Sequence, residues 1–274
     1  MGAYSPLLME NFSFAFVFAG FVVGTIVGLT GVGGGSLMTP LLIFGFGIKP
    51  ALAVGTDLLF AAGTKFGGLL NFARQRIIPW RVVFSLSLGS VPAAVITLFV
   101  LNYFGTSNPT VQRAITFTLG IALLLTAAAT LYKAIRGPLR RQDHDEAETP
   151  IPADQTTHPW MPVLFGAVIG MLVTLTSVGA GAIGVTVLML LYPQLPLPRI
   201  VAADIAYAVP LTLVAGLGHA SLGTVDWNLL GMLLCGSLPG IWLGSHLVTK
   251  VPERFIRSAL SVLLAWAGTK LILI

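Results

Sequence analysis

Asp57, Lys65 and Asp204 are the residues of this chain best placed to do chemistry, because each stands inside an apolar stretch. Asp57 follows "AVGT", Lys65 lies in "AAGTKFGG" and Asp204 follows "IVAA". An ionisable group in such surroundings is costly, and where it persists it usually handles ions, protons or charged substrates. For both aspartates two readings stay open: coupling to a proton or cation, or capping a helix start through its dipole. Lys65 could pair with Asp57 two turns earlier, snorkel to a membrane surface, or hold an anionic substrate. His219, in "GLGHASLG", is of the one side-chain type that titrates near neutral pH. Its place near the end of an apolar run reads as an ordinary interfacial histidine.

Two glycine clusters offer a second chemistry. "TGVGGGS" (30–36) and "TSVGAGA" (176–182) fall where the surrounding residues are apolar. Each glycine costs a helix about 1 kcal/mol against alanine, so both stretches read as helix breaks. A helix restarting after such a break presents free backbone N–H groups, which bind anions with help from the helix dipole. Thr30, Ser36, Thr176 and Ser177 would add hydroxyl donors. The pattern lacks the G-x-x-x-x-G-K-[ST] signature and a βαβ setting, so it is not a nucleotide-phosphate loop. Gly20, Gly24, Gly166 and Gly170 stand singly and read instead as close helix–helix contacts.

These residues need elements that hold them in lipid. The chain has 274 residues, of which 55% are hydrophobic and 9% charged, and its mean hydropathy is +0.90. A soluble domain carries about 25% charged residues, so the composition is that of an all-α polytopic membrane protein. Stretches near the ~20-residue length of a bilayer span fall at 12–30, 51–72, 80–101, 112–134, 160–176, 198–220, 227–249 and 255–274. Two apolar pieces, 36–46 and 182–192, are too short to cross unaided. The first stretch lacks a basic leader and a cleavage site and reads as a retained span. The net charge of +5 fits basic cytoplasmic loops rather than nucleic-acid binding. The single cysteine, Cys235, allows no internal disulfide and no thiolate metal cluster, and it reads as inert packing. Pro92 and Pro239 should kink their helices. Trp80 and Trp227 each open a span as interface anchors. No ATP-binding motif or other cofactor signature is present.

The chain also repeats itself. A shift of 146 carries "GFVVGTIVGLTGVGGG" (20–35) onto "GAVIGMLVTLTSVGAG" (166–181). A shift of 147 then sets Val54, Asp57, Ala61 and Trp80 on Val201, Asp204, Ala208 and Trp227, and "GSVP" (89–92) on "GSLP" (236–239). The expected organisation is a first membrane repeat (1–135), a polar linker (136–159) and a second membrane repeat (160–274). Arg74, Arg76 and Arg81 place the loop near 73–81 inside, whereas its counterpart 220–228 has no Lys or Arg and belongs outside. The basic linker and the loop near 250–257 are cytoplasmic by the same rule. The halves therefore insert with opposite topology and both termini lie outside, with Lys270 in mild disagreement. Each half needs an odd number of crossings, met by three spans plus a re-entrant hairpin or by five spans. Both counts stay open.

The string "GFVVGTIVGLTGVGGGSLMTPLLI", the "GTD" at 55–57, the downstream "GSVPAA" and the degenerate second copy resemble the sulfite exporter TauE/SafE family. The second cluster departs from the first, with Ser177 and Ala180 in place of Gly31 and Gly34. The resemblance implies a cell-membrane (inner-membrane) transporter with sulfite, sulfoacetate or related sulfur-containing anions as substrates. Together with the inverted repeats and broken helices, it leads to an alternating-access carrier working as an exporter and energised by a gradient of a coupling ion, proton or sodium. The expected anion site comprises Thr30, Gly33, Gly34, Gly35 and Ser36 facing Ser177, Gly179 and Gly181, with Lys65 adding attraction. Asp57 and Asp204 are coupling or structural groups. The competing functions are a channel for a small anion, a cation carrier using the two aspartates, and an intramembrane aspartyl protease. The last requires G-x-G-D, which neither aspartate has. Oligomeric state is not legible.

Overall fold

Runs of apolar residues started by proline or tryptophan and ended by glycine or polar turns become helices. The computed structural model describes residues 6–30, 35–136, 160–247 and 253–273. These form α1 (Pro6–Thr30), α2 (Gly35–Pro40), α3 (Pro50–Arg74), α4 (Trp80–Phe104) and α5 (Pro109–Arg136). They continue with α6 (Met161–Thr176), α7 (Ala182–Leu191), α8 (Leu197–Ser221), α9 (Trp227–Leu247) and α10 (Glu253–Leu273). Among the described residues there is no strand. After Pro40 the chain widens into a π-helical turn, Leu41–Gly45. Pro50, Pro162 and Pro198 sit in the first turns of α3, α6 and α8, where a missing N–H costs nothing. All of the expected linker except Arg136, and Gly31, Gly33 and Gly34 of the first glycine cluster, lie outside the described residues.

Each expected span has its helix, and among the described residues four are long and apolar enough to cross a bilayer by themselves: Trp80–Phe104, Pro109–Tyr132, Leu197–Ser221 and Trp227–Gly244. The expected span 51–72 corresponds to α3, whose apolar run is interrupted by Thr56, Asp57, Thr64 and Lys65. Burial against other helices, not lipid exposure, makes those residues tolerable there. The expected span 160–176 is only the 16 residues of α6, and the structure joins it to α7 through the break.

Helix pairing explains where the core sits. α3 packs on α8, α1 on α9, α4 on α6 and α5 on α10, with α4 also on α8 and α3 on α9. Exchanging α1–α5 for α6–α10 leaves this set of partners unchanged. The centre is α3 and α8: two thirds of the apolar window of α8 is buried (67%), against 39% for α4. The single glycines do what their isolation predicts. A Cβ on Gly24 would lie 2.5 Å from the Ser237 carbonyl oxygen, and one on Gly170 would lie 2.3 Å from that of Ser90. These are the same contact in the two halves, since Gly24 maps on Gly170 and Ser90 on Ser237. Backbone meets backbone in both α1–α9 and α4–α6.

Several threonine hydroxyls within the helices are satisfied locally. Thr97, Thr126, Thr130 and Thr212 donate to the carbonyls of Ala93, Ala122, Thr126 and Ala208, four residues back. That habit removes the cost of a lone donor in an apolar setting. Trp80 and Trp227 are exposed at the starts of α4 and α9, in keeping with interface anchoring. Cys235 is exposed on α9 and so is not packed inside the protein, because the small side chain falls on the outward face with Leu238 and Trp242.

Candidate functional site

The break of the second half is a five-residue turn, 177–181, between α6 and α7. Ser177 takes the left-handed conformation (φ 59°), and Gly179 and Gly181 lie at φ 133° and 134°, backbone positions that favour glycine. The Thr176 hydroxyl closes the turn from within. It donates to the Leu172 and Val178 carbonyls at 2.6 and 3.0 Å and accepts from the Val178 N–H at 3.1 Å. Thr176 is therefore engaged and does not serve as a donor to a ligand.

Two charged side chains reach this turn. Lys65 of α3 donates from Nζ to the Ala180 carbonyl at 3.0 Å. Asp204 of α8 accepts the Gly181 N–H through Oδ1 at 3.3 Å. Both are buried, at 7% and 2% exposure. The Lys65 ammonium lies within electrostatic reach of both aspartates. Asp204 is the eighth residue of α8, which starts at Leu197, so it does not cap its own helix; it serves the start of α7. Gly184 makes room for it, since a Cβ there would fall 2.2 Å from Asp204 Oδ1 and 2.4 Å from Tyr207 Oη. Tyr207, one turn after Asp204, is fully buried beside that carboxyl, and its hydroxyl has no hydrogen-bond partner.

Asp57, the eighth residue of α3, is wholly buried (0% exposed). Its Oδ2 accepts the Thr39 hydroxyl of α2. The Ser177 hydroxyl lies beside the same carboxyl, but too loosely for a hydrogen bond: Asp57 Oδ1 and Ser177 Oγ are both buried without a partner. The two repeat-related aspartates thus meet one structure, the 177–181 turn, with Lys65 between them electrostatically.

Of the expected site residues, Lys65, Asp57, Asp204, Ser177 and Gly181 come together here, and Gly179 shapes the turn. Ser36 is buried near the start of α2, which Gly35 opens. Thr30 ends α1, with its side chain outside the described residues, as are Gly33 and Gly34 altogether. Sequence reasoning missed Thr39, Tyr207, Gly184 and the Ala180 carbonyl. Tyr207 had a usable signal, since it follows Asp204 by three residues and shares its helix face. A backbone carbonyl carries none.

His219 corrects another expectation. It is fully buried (0% exposed), not interfacial. Its Nε2 meets the Thr174 carbonyl at 3.0 Å and Nδ1 meets Thr224 Oγ1 at 2.8 Å. α6 and the α8–α9 turn close over the end of α8, so nearness to a helix end does not expose it. A separate groove of about 350 Å³ runs between α3, α8 and α9, lined by apolar side chains such as Leu59, Phe66, Leu213 and Trp227. None of the expected site residues lines it.

Comparison with known proteins agrees with this architecture. The profile of the family described as Sulfite exporter TauE/SafE matches residues 16–271. The chain is 35% identical to "Probable membrane transporter protein YjnA" of Bacillus subtilis, over 95% of this chain and all of that protein. It is 26% identical to "Probable membrane transporter protein YunE" of the same organism, over 93% of this chain and 96% of that one. The archaeal "Probable membrane transporter protein MJ0441" of Methanocaldococcus jannaschii is 25% identical over 94% of each chain. No solved structure matches the chain. A buried charge cluster at a helix break, transmembrane-capable helices and a match along nearly the whole chain lead to one conclusion: this multi-pass membrane protein belongs to the sulfite exporter TauE/SafE family of membrane transporters.

Proposed function

We propose that the chain is a secondary transporter that exports a small sulfur-containing anion, such as sulfite, sulfoacetate or a related organosulfonate, by alternating access. It consists of two inverted-topology repeats, 1–135 and 160–274, joined by a cytoplasmic linker, 136–159, with both termini outside. The exchange-invariant helix pairing and the matched Gly24–Ser237 and Gly170–Ser90 contacts support the duplication. The anion lies between the two breaks, with Thr30, Gly33, Gly34, Gly35 and Ser36 on one side and Ser177, Gly179 and Gly181 on the other. A gradient of a coupling ion supplies the energy.

The observation that carries this reading is Lys65. A buried ammonium from the first half reaches the broken helix of the second, a break that also holds the unpartnered hydroxyl of Ser177. The unpartnered hydroxyl of Tyr207 lies near Asp204, which binds the same break. Those are three donors suited to the oxygens of an oxyanion. Asp204 at the Gly181 N–H supports it further, because a carboxylate oxygen already sits where the α7 start favours negative charge. The family's description as sulfite exporter points to the sulfur oxyanions. The test is uptake of radiolabelled sulfite and sulfoacetate into proteoliposomes carrying the purified protein, with sulfate and taurine as competitors. Saturable uptake that Lys65→Ala abolishes is expected. No uptake of any sulfur anion, under either proton or sodium gradients, would overturn the substrate class.

A further inference from the structure

The two aspartates differ in what surrounds them, and the difference assigns the coupling role. Three buried ionisable groups meet at the 177–181 turn: Lys65, Asp57 and Asp204. Lys65 and Asp204 bind the same peptide group, that between Ala180 and Gly181. Asp57 makes no contact with that peptide group and shares the charge of Lys65 with Asp204. Its one hydrogen-bonded oxygen is Oδ2, at Thr39, and Oδ1 is orphaned next to the equally orphaned Ser177 Oγ.

Ionised, Asp57 would be a second carboxylate sharing one ammonium with Asp204 in an apolar setting, which is unfavourable. With a proton on Oδ1, the carboxyl is neutral and has a donor to offer the Ser177 oxygen. One small adjustment then satisfies both orphans. We propose that Asp57 and Ser177 form the coupling-proton site of the carrier, and that Asp204 does not. This rests on the carrier reading given above. The proton is taken up by Asp57 Oδ1, which donates to Ser177 Oγ and so fastens α3 of the first half to the break of the second. When the turn withdraws and water reaches the carboxyl, the proton leaves to water and the link opens. The arrangement couples one proton to one movement of the break.

The groups facing Asp57 are few. α2 brings the hydroxyl of Thr39, and the α6–α7 turn brings that of Ser177. His219 of α8 lies against Gly55, and Asp226 of the α8–α9 turn donates its N–H to Thr56. Of the charged groups, Lys65 is the one that acts on Asp57.

The experiment is an infrared pH titration of the purified full chain in lipid, read at the C=O stretch of a protonated carboxyl. A band that disappears with rising pH is expected, absent in Asp57→Asn and retained in Asp204→Asn. Thr39→Val, which keeps the carboxyl and removes the donor to its C=O, should move the band to higher frequency, so the result does not depend on Asp57→Asn folding. No such band, a band deleted by Asp204→Asn instead, or one indifferent to Thr39→Val would overturn the assignment. In proteoliposomes, the wild type should exchange sulfoacetate at equal pH and accumulate it under a pH gradient, and Asp57→Asn should lose the accumulation. Accumulation that survives in Asp57→Asn overturns the proposal, whereas wild type without exchange overturns the carrier reading and leaves the infrared result to decide the proton site.

Discussion

Lys65 and Asp204 hold opposite ends of one peptide group: the ammonium binds the Ala180 oxygen, and the carboxylate binds the Gly181 N–H. One residue comes from α3 and the other from α8, so a single peptide plane at the helix break is fixed from both halves. A trans peptide presents its oxygen and its hydrogen on opposite sides, which sets the two charges apart across the turn. The pair therefore orients the break and neutralises itself without direct contact being required.

Removing either charge should unbalance the other. Lys65→Met and Asp204→Asn are each expected to lower stability by about 3–5 kcal/mol, the usual cost of stranding a buried charge. The double variant should recover part of that loss, because neither charge is then alone. Thermal unfolding in detergent measures all three. Strict additivity of the single losses would show that the two residues do not act on a common peptide.

The glycine contacts predict matched losses at unrelated places in the chain. Gly24→Val and Gly170→Val each force a side chain into a carbonyl less than 3 Å away, and each should cost about 1–3 kcal/mol by overpacking. Melting temperatures of the two variants should fall together. A variant that melts like the parent would mean that its helix pair is not closed backbone to backbone.

His219 should matter for folding more than for substrate choice. His219→Phe leaves the Thr174 carbonyl without its partner, a loss of about 1–3 kcal/mol. Competition by sulfate, taurine and sulfoacetate should keep its parental order in whatever fraction folds. A changed order would place the histidine in the substrate path.

Orientation can be read with single cysteines in a Cys235→Ala background. Gln75 and Leu222 are corresponding residues, each the C-cap of its helix, α3 and α8. With inverted repeats, an impermeant maleimide added outside whole cells should label Leu222→Cys and leave Gln75→Cys untouched. Labelling of both from one side would rule out opposite insertion.

Much of the helical frame was legible because apolar runs with proline starts leave few alternatives in lipid. Asp57, Lys65 and Asp204 were legible for a related reason, since charge in such a run stands out. Their partners were not. Lys65 ends on a main-chain oxygen 115 residues away, and no side-chain pattern announces a carbonyl. Thr39 lies 18 residues before Asp57 in a string whose hydroxyl looks like any other helical threonine. His219 was misplaced because distance from a helix end says nothing about which neighbours close over it. Thr176 looked like a donor to a ligand, yet its hydroxyl turns back on the loop it belongs to.

The backbone contacts between α1 and α9 and between α4 and α6 have a mechanical result. Each fastens a helix of one half of the chain onto the other, so the two proposed repeats are not independent units of movement. A hinge running between residues 135 and 160 would have to tear both seams. Any opening of the molecule must instead run between bodies of mixed parentage, each built from helices of both halves, and the α6–α7 turn, fixed from α3 and α8, lies where such bodies meet.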